Sequence, residues 1–234
     1  MENTLPVALV LSGCGVYDGS EVSEAVGVIV ALSQAGIPYT CYAPDRPQLH
    51  VINHAKASET DETRNILDEA ARIARGNILP LAELDVSRHS AIVFPGGFGA
   101  AKNLTNFTRA GSQAELADDV RAAVLPFIQA HKPVVALCAA PLVLGLAARE
   151  VGITGARITF GNPSEGKAMA EALVSWGQQH VETAVDAACV DEHHRFITAP
   201  AYMYGQATPA EVFASCQAAI RALGTMLGHT ATAA

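Results

Sequence analysis

The residues of this chain best suited to covalent chemistry are one cysteine and the small residues around it. Cys138 follows the apolar run Val134-Val135-Ala136-Leu137 and precedes Ala139, Ala140 and Pro141. Such a run predicts a strand buried on both faces, and proline is typical of a first helical turn. The thiol is therefore expected at the carboxyl end of a central strand, where backbone N–H groups and the helix dipole favour a thiolate. We interpret Cys138 as a nucleophile.

Turns of small residues follow three predicted strands and offer donors for an oxyanion. They are Ser12-Gly13-Cys14-Gly15, Pro95-Gly96-Gly97 and Cys138-Ala139. In a parallel sheet these turns lie side by side along the carboxyl edge, where such folds bind ligands. The glycine amides of the second turn, with the amide after Cys138, are expected to form an oxyanion hole.

Two glutamates near the first predicted helix are candidates for the proton acceptor. Ser20 is expected to cap this helix, which places Glu21 and Glu24 in its first turns. Glu21 is typical of a solvated acid at the favourable end of the helix dipole. Glu24 lies closer to the apolar stripe, and a buried carboxyl beside a cysteine would have a raised pKa and could pass a proton.

The order of elements predicts a doubly wound parallel sheet. The chain opens with a strand at 6–11, a helix at 20–34 and a strand at 39–43. Further helices are predicted at 61–75, 113–130, 141–151, 164–176 and 209–226, and further strands at 91–94, 133–137, 156–160, 181–190 and 196–198. No repeat or linker interrupts the pattern, so one domain is expected over 1–228, with a frayed tail at 229–234.

Composition excludes several classes of protein. Half of the 234 residues are hydrophobic and 16% are charged, which is sufficient for a large core. A net charge of −8 without a basic cluster argues against nucleic acid as a partner. No apolar stretch is long enough to predict a membrane span, and the first residues do not resemble a signal peptide. Five scattered cysteines predict neither a disulfide framework nor a zinc site, so a cytoplasmic location is expected.

Several long motifs resemble a known superfamily. The Gly-Gly turn, the cysteine after a buried strand and the glutamate on the first helix resemble DJ-1/PfpI proteins, which are related to class I glutamine amidotransferase domains. The similarity is greater to the ElbB-like branch, whose members are described as glyoxalases. Its motifs match Leu11 to Glu21, Tyr42 to Asp45, Val51 to His54, Glu62 to Asn65, Pro95 to Leu104 and Ala199 to Met203.

This resemblance implies a fold and a set of roles. The fold is an α/β, flavodoxin-like three-layer α/β/α sandwich with a mostly parallel sheet and a nucleophile elbow, and the protein is expected to be a homodimer. Cys138 would be the nucleophile and Glu24 its carboxylate partner. Gly97 and Ala139 would supply oxyanion amides, with Gly96 beside them at the substrate. Neither a cofactor nor a metal is implied.

The chain departs from its relatives in its histidines. Proteases and amidotransferases of the superfamily use a histidine base, but the residue after Cys138 is Ala139, and the stretch at 159–163 has no histidine. His180-Val181-Glu182 resembles the amidotransferase His-x-Glu pair, although it follows the cysteine too closely. His193 and His194 suggest a metal site, but a polar hairpin tip explains them better.

Three functions fit these residues. The first is a cofactor-free glyoxalase that converts methylglyoxal or glyoxal to lactate or glycolate through a hemithioacetal on Cys138, with Glu24 as acid and base. The second is a redox-responsive or regulatory protein in which Cys138 is oxidised. The third is a glutaminase-like subunit, which the missing histidine disfavours.

Overall fold

A computed structural model describes residues 5–228, and its strands and helices alternate along the chain. The strands are β1 (Val7–Val10), β2 (Tyr39–Ala43), β3 (Val51–Asn53), β4 (Ser58–Thr60), β5 (Ile78–Pro80), β6 (Ile92–Phe94), β7 (Val134–Leu137), β8 (Arg157–Ile158), β9 (Gln179–His180), β10 (Cys189–Asp191) and β11 (Phe196–Ala199). The helices are α1 (Val22–Gln34), α2 (Ile66–Ile73), α3 (Phe107–Ala110), α4 (Asp118–Gln129), α5 (Pro141–Glu150), α6 (Lys167–Ser175) and α7 (Pro209–Met226).

One seven-stranded sheet organises these elements, in the order β10-β11-β7-β6-β1-β2-β5. Its pairings are parallel except for the antiparallel pair of β10 and β11. The strand β7 lies between β6 and β11, so the turn after β7 meets the turns after its neighbours at one edge. The predicted flavodoxin-like α/β fold with a mostly parallel sheet is confirmed.

Each face of the sheet carries its own hydrophobic core, because side chains alternate along every strand. On β7, Val134 and Ala136 face a core formed with α4, α5 and α6, whereas Val135 and Leu137 face a core formed with α1, α2 and α7. All four residues have no exposed surface. Burial on both faces explains why these strands read as continuous apolar runs.

The smaller elements differ from the sequence prediction for local reasons. The helix predicted at 61–75 begins only at Ile66, because the Asn65 side chain accepts hydrogen bonds from the amides of Leu67 and Asp68, at 2.7 and 3.3 Å. The strand predicted at 156–160 is the short β8, which pairs with β9 outside the main sheet. The edge strand β5 was not predicted, since its three residues are only partly covered.

The segment between β6 and α4 contains a π-helical turn at Ala100–Leu104 and the short helix α3. No helix within residues 5–228 has the length and apolar character of a membrane span. The tail predicted at 229–234 lies outside the described residues.

Candidate active site

Cys138 lies on a sharp turn between β7 and α5, as predicted for a nucleophile elbow. Its φ is +56°, a left-handed conformation that costs a residue with a Cβ on the order of 1 kcal/mol or more. Two hydrogen bonds hold the turn: the Cys138 amide donates to Ala199 O at 2.9 Å, and the Ala140 amide donates to Leu137 O at 2.8 Å. The surrounding structure therefore fixes the thiol at the carboxyl edge of the sheet, where it is 8% exposed.

Glu24 is fully buried on the first turn of α1 and faces this thiol. Its Oε2 accepts the amide of Gly96 at 2.9 Å, and its Oε1 accepts the amide of Tyr202 at 3.1 Å. The Glu24 carboxyl lies beside the Cys138 thiol, because a Cβ on Gly96 would collide with both Oε2 of Glu24 and Sγ of Cys138, and the two groups are electrostatically coupled. The structure thus brings together the two side chains that the sequence analysis selected.

Both groups of this pair hold their protons more tightly than usual. Burial, with the nearby charge of Glu21, raises the pKa of Glu24 from 4.5 to about 8. Burial and the charge of Glu24 raise the pKa of Cys138 well above its usual value, and the amides of Gly97 and Ala139 oppose this only in part. The expectation of a favoured thiolate is therefore wrong for the resting pair, because Cys138 is buried beside a second acid.

Two of the three predicted oxyanion donors act on the Cys138 sulfur. The amides of Gly97 and Ala139 lower the pKa of Cys138, so they favour negative charge at this position. The third, the Gly96 amide, donates to Glu24 instead. Gly96 therefore orients the carboxyl rather than an oxyanion.

Only glycine fits at positions 96 and 97. A Cβ on Gly96 would collide with the Cβ of Cys138 and with Oε2 of Glu24. Gly97 has a φ of +99°, and a Cβ there would collide with the backbone of Gly19 and Glu21. The absence of side chains is what allows the turn after β6 to approach the pair.

The loop between β1 and α1 clamps this glycine turn. Three backbone hydrogen bonds join them: Glu21 N to Gly96 O at 3.0 Å, Phe98 N to Val16 O at 2.8 Å and Gly99 N to Gly19 O at 2.9 Å. The position of the Gly97 amide therefore depends on the conformation of the loop at 12–21.

Asn103 holds that loop from the π-helical turn. Its Nδ2 donates to Ser12 O at 2.9 Å and to Asp18 O at 2.8 Å, and its Oδ1 accepts the Leu49 amide at 3.0 Å. The side chain is 2% exposed, and all of these bonds are buried or partly buried. Sequence reasoning assigned no role to Asn103 or to the Tyr202 amide, although both lie in motifs that resemble the ElbB-like branch.

The first helix begins one residue later than predicted. Glu21, not Ser20, is the N-cap, and its Oε2 accepts the Glu24 amide at 2.6 Å. Ser20 is engaged elsewhere: its Oγ accepts the Ser12 amide at 2.9 Å and lies 3.2 Å from Ser12 Oγ. Glu21 is thus not simply a solvated acid, since its charge raises the pKa of Glu24.

The histidines that sequence analysis considered as a base or as metal ligands contact residues other than Cys138 and Glu24. His180 accepts the Phe160 amide through Nε2 at 3.1 Å, and burial lowers its pKa. His194 contacts Asp191 at 2.9 Å, and its ring packs against His193. Within residues 5–228 no histidine hydrogen-bonds to Cys138 or Glu24, and no three potential ligand side chains are grouped as a metal site.

Comparison with known proteins identifies the family. No protein-family model matches the chain. A human protein named glutamine amidotransferase-like class 1 domain-containing protein 3, mitochondrial, is 44% identical over 204 residues, which cover 84% of this chain and 74% of the relative. The rat ES1 protein homolog, mitochondrial, is 45% identical over 204 residues, or 84% of this chain and 75% of the relative. The chain belongs to this glutamine amidotransferase-like class 1 family of ES1 homologues.

Solved structures agree with this assignment. An Ehrlichia chaffeensis isoprenoid biosynthesis protein with an amidotransferase-like domain is 32% identical, with a TM-score of 0.87 over 96% of this chain and 100% of the other. Drosophila melanogaster DJ-1beta is 17% identical, with a TM-score of 0.50 over 97% of this chain and 99% of the other, which supports a shared fold alone.

The same relatives correct the predicted location. The human, rat and zebrafish proteins are all named as mitochondrial, which contradicts a cytoplasmic location. The cytoplasmic prediction is therefore wrong. It was based on unpaired cysteines, and reduced cysteines do not distinguish these two locations.

The contacts around Gly96 predict that even a methyl group is not tolerated there. Gly96→Ala should lower the free energy of unfolding by about 1–3 kcal/mol through overpacking, and should displace Glu24 from Cys138. Urea unfolding measures this change. Gly205→Ala is the matched control, because its Cβ would meet only Glu165 Oε2, at 3.4 Å. Equal effects of the two substitutions would contradict the packing described here.

The raised pKa of Glu24 predicts a specific dependence of stability on pH. Because the folded state holds this proton more tightly than the unfolded state, the contribution of Glu24 to stability falls as pH rises from 4.5 to about 8. Glu24→Gln removes this titration but adds a fixed cost, since its NH₂ would face a backbone donor. Relative to the wild-type protein, the free energy of unfolding of the Glu24→Gln variant should therefore rise by on the order of a few kcal/mol between about pH 5 and pH 8. Parallel pH curves for the two proteins would refute the raised pKa.

Proposed function

We propose that this protein is a cofactor-independent glyoxalase that converts small 2-oxoaldehydes, such as methylglyoxal, to 2-hydroxy acids. The supporting observation is the buried pair of Cys138 and Glu24, in which a candidate nucleophile and a candidate proton carrier lie side by side against Gly96. The family includes both glyoxalase and regulatory members, so the choice between them depends on the chemistry of this pair.

The reactive form of the pair has lost one of its two protons. In that form the Cys138 sulfur adds to the aldehyde carbon, and the carbonyl π electrons move to oxygen. The amides of Gly97 and Ala139 are placed to stabilise the oxyanion until Glu24 delivers its proton, which completes a hemithioacetal. Glu24 is then a carboxylate and can act as a base.

The next steps need no external oxidant. Glu24 removes the proton from the former aldehyde carbon, which gives an enediolate, and returns it to the neighbouring carbon, while the hydroxyl proton passes from the first oxygen to the second. The aldehyde carbon is thereby oxidised to a thioester while the ketone carbon is reduced to an alcohol. Water hydrolyses the thioester, which releases lactate and restores the thiol. The balance is methylglyoxal plus water to lactic acid.

The surroundings of Cys138 favour this reaction over the two alternatives. A sensor cysteine is oxidised more readily the more exposed it is, whereas Cys138 is 8% exposed, and its neighbour Glu24 is a proton carrier that aldehyde isomerisation needs and oxidation does not. A glutaminase of this superfamily needs a histidine base, and within residues 5–228 no histidine hydrogen-bonds to Cys138. A small aldehyde suits a nearly buried sulfur.

Turnover of methylglyoxal tests the proposal. Cys138→Ala should abolish lactate formation, and Glu24→Gln should slow it by about 10²–10⁴, the usual contribution of a general acid–base. Cys14→Ala is the control, since Cys14 is a half-buried cysteine at the same sheet edge and should be dispensable. Stoichiometric oxidation of Cys138 by peroxide without catalytic turnover, or near-normal turnover in Cys138→Ala, would refute the glyoxalase assignment.

We also propose that two copies associate through the outer face of α1. Val22, Val26 and Val30 recur every four residues on this face and are 41%, 44% and 38% exposed. An exposed stripe of aliphatic side chains is typical of an interaction surface, and a two-fold pair of helices would bury it in both copies. The stripe begins beside Glu21, so the interface would adjoin the active site.

Sedimentation analysis tests this association. Val26→Lys should convert a dimer to a monomer, because it places two like charges at the centre of the interface. Val174→Lys is the control on α6, where Val174 is 57% exposed. A wild-type protein that sediments as a monomer, or a Val26→Lys variant that remains a dimer, would exclude this interface.

A further inference from the structure

A concave site lies at the opposite edge of the sheet from Cys138. It is a cleft of about 540 Å³ between the carboxyl ends of α1 and α2 and the amino ends of β2 and β5. Its lining combines the aliphatic residues Ile29, Ile37 and Ile73 and the thiol of Cys41 with the polar residues Ser33, Arg75 and Asn77. This volume is within the range of small-molecule sites, which are mostly apolar with a few polar groups.

The apolar part of the cleft can accept a hydrocarbon group. Ile29 and Ile73 contribute partly exposed aliphatic surface from α1 and α2, and Ile37, which is 2% exposed, lies beneath them in the loop before β2. Cys41 is 3% exposed, and burial raises the pKa of its thiol to about 11. It therefore stays neutral at physiological pH and adds apolar surface rather than a nucleophile.

Arg75 is the one charged residue among those that line the cleft. Within residues 5–228 it forms no ion pair with a carboxylate, as is also true of six other arginines of the chain, so its charge is available to a ligand. The guanidinium is an exposed group at the rim, in a protein whose net charge is −8. An anion would therefore find a local positive charge at this cleft together with apolar surface.

The backbone holds Arg75 at a position that usually belongs to glycine. Its φ is +56°, directly after the cap of α2, and the Gly76 amide closes the helix by donating to Ala71 O at 2.8 Å. Glycine is preferred here because a Cβ disfavours the left-handed conformation. A charged side chain thus occupies the rim of the cleft at a position where glycine would have a lower conformational cost.

From these observations we propose that the cleft binds an amphipathic carboxylate. The carboxylate would form a bidentate pair with Arg75, a geometry that guanidinium favours. The hydrocarbon chain would lie against Ile29, Ile37 and Ile73, and Ser33 and Asn77 provide further polar groups beside it. The site is separate from Cys138 and independent of the reaction proposed there.

Calorimetric titration with octanoate tests this site on the full chain. Octanoate should bind saturably with one molecule per chain, and 1-octanol and octylamine should bind at least about tenfold more weakly, because neither can pair with Arg75. Arg75→Gly should weaken octanoate binding by about tenfold or more, whereas Arg75→Lys should retain part of it. Ser33→Trp should fill the space that the hydrocarbon chain of octanoate would occupy and should abolish its binding.

A matched variant separates binding from folding. His131 follows the cap of α4 just as Arg75 follows the cap of α2. Its φ is +53°, and the next amide, Lys132 N, closes the helix by donating to Phe127 O at 2.9 Å. Arg75→Gly and His131→Gly should both preserve or raise the melting temperature, because glycine relieves the left-handed conformation. Only Arg75→Gly should weaken the binding of octanoate. Absence of saturable binding, equal affinity for octanoate and octanol, or unchanged binding in Arg75→Gly or Ser33→Trp would overturn the proposal.

Discussion

The candidate active site depends on one buried interaction, the close approach of the Glu24 carboxyl to the Cys138 thiol. Two neighbouring acids that are both buried cannot readily ionise together, so near neutral pH they hold protons that exposed groups would have released. Loss of the first proton leaves a nucleophile beside a proton donor, and transfer of the second converts that donor into a base. The proposed chemistry depends on this exchange of protons, in which Glu24 takes the place of a histidine base.

The rest of the architecture keeps these two groups in contact. The strand β7 and the carbonyl of Ala199 fix the Cys138 turn, while the amides of Gly96 and Tyr202 orient Glu24 from two other loops. Asn103 connects the loop at 12–21 to the π-helical turn, and that loop in turn holds the glycine turn. Four loops at one sheet edge thus meet at a single pair, which places each group without relying on flexible surface side chains.

The local features of this site could be predicted from the sequence, but the ionisation of its groups could not. The apolar run before Cys138, the glycines at 96 and 97 and the position of Glu24 were readable because each reflects a local constraint on backbone or packing. The ionisation of Cys138 was predicted in the wrong direction, because burial by distant segments outweighed the helix dipole. The roles of Asn103 and the Tyr202 amide depend on contacts across 85 and 178 residues, and no local pattern reports such contacts.

The most direct test of this account is the ionisation of Glu24 itself. Carbon-13 NMR of protein labelled at glutamate carboxyl groups, assigned by comparison with Glu24→Gln, follows this one residue through a pH titration. The account predicts that the Glu24 resonance titrates with a midpoint of about 8 and that the midpoint moves when Cys138 is replaced by alanine. A Glu24 resonance that titrates near its ordinary value of 4.5, unaffected by Cys138→Ala, would contradict the coupling of these two acids.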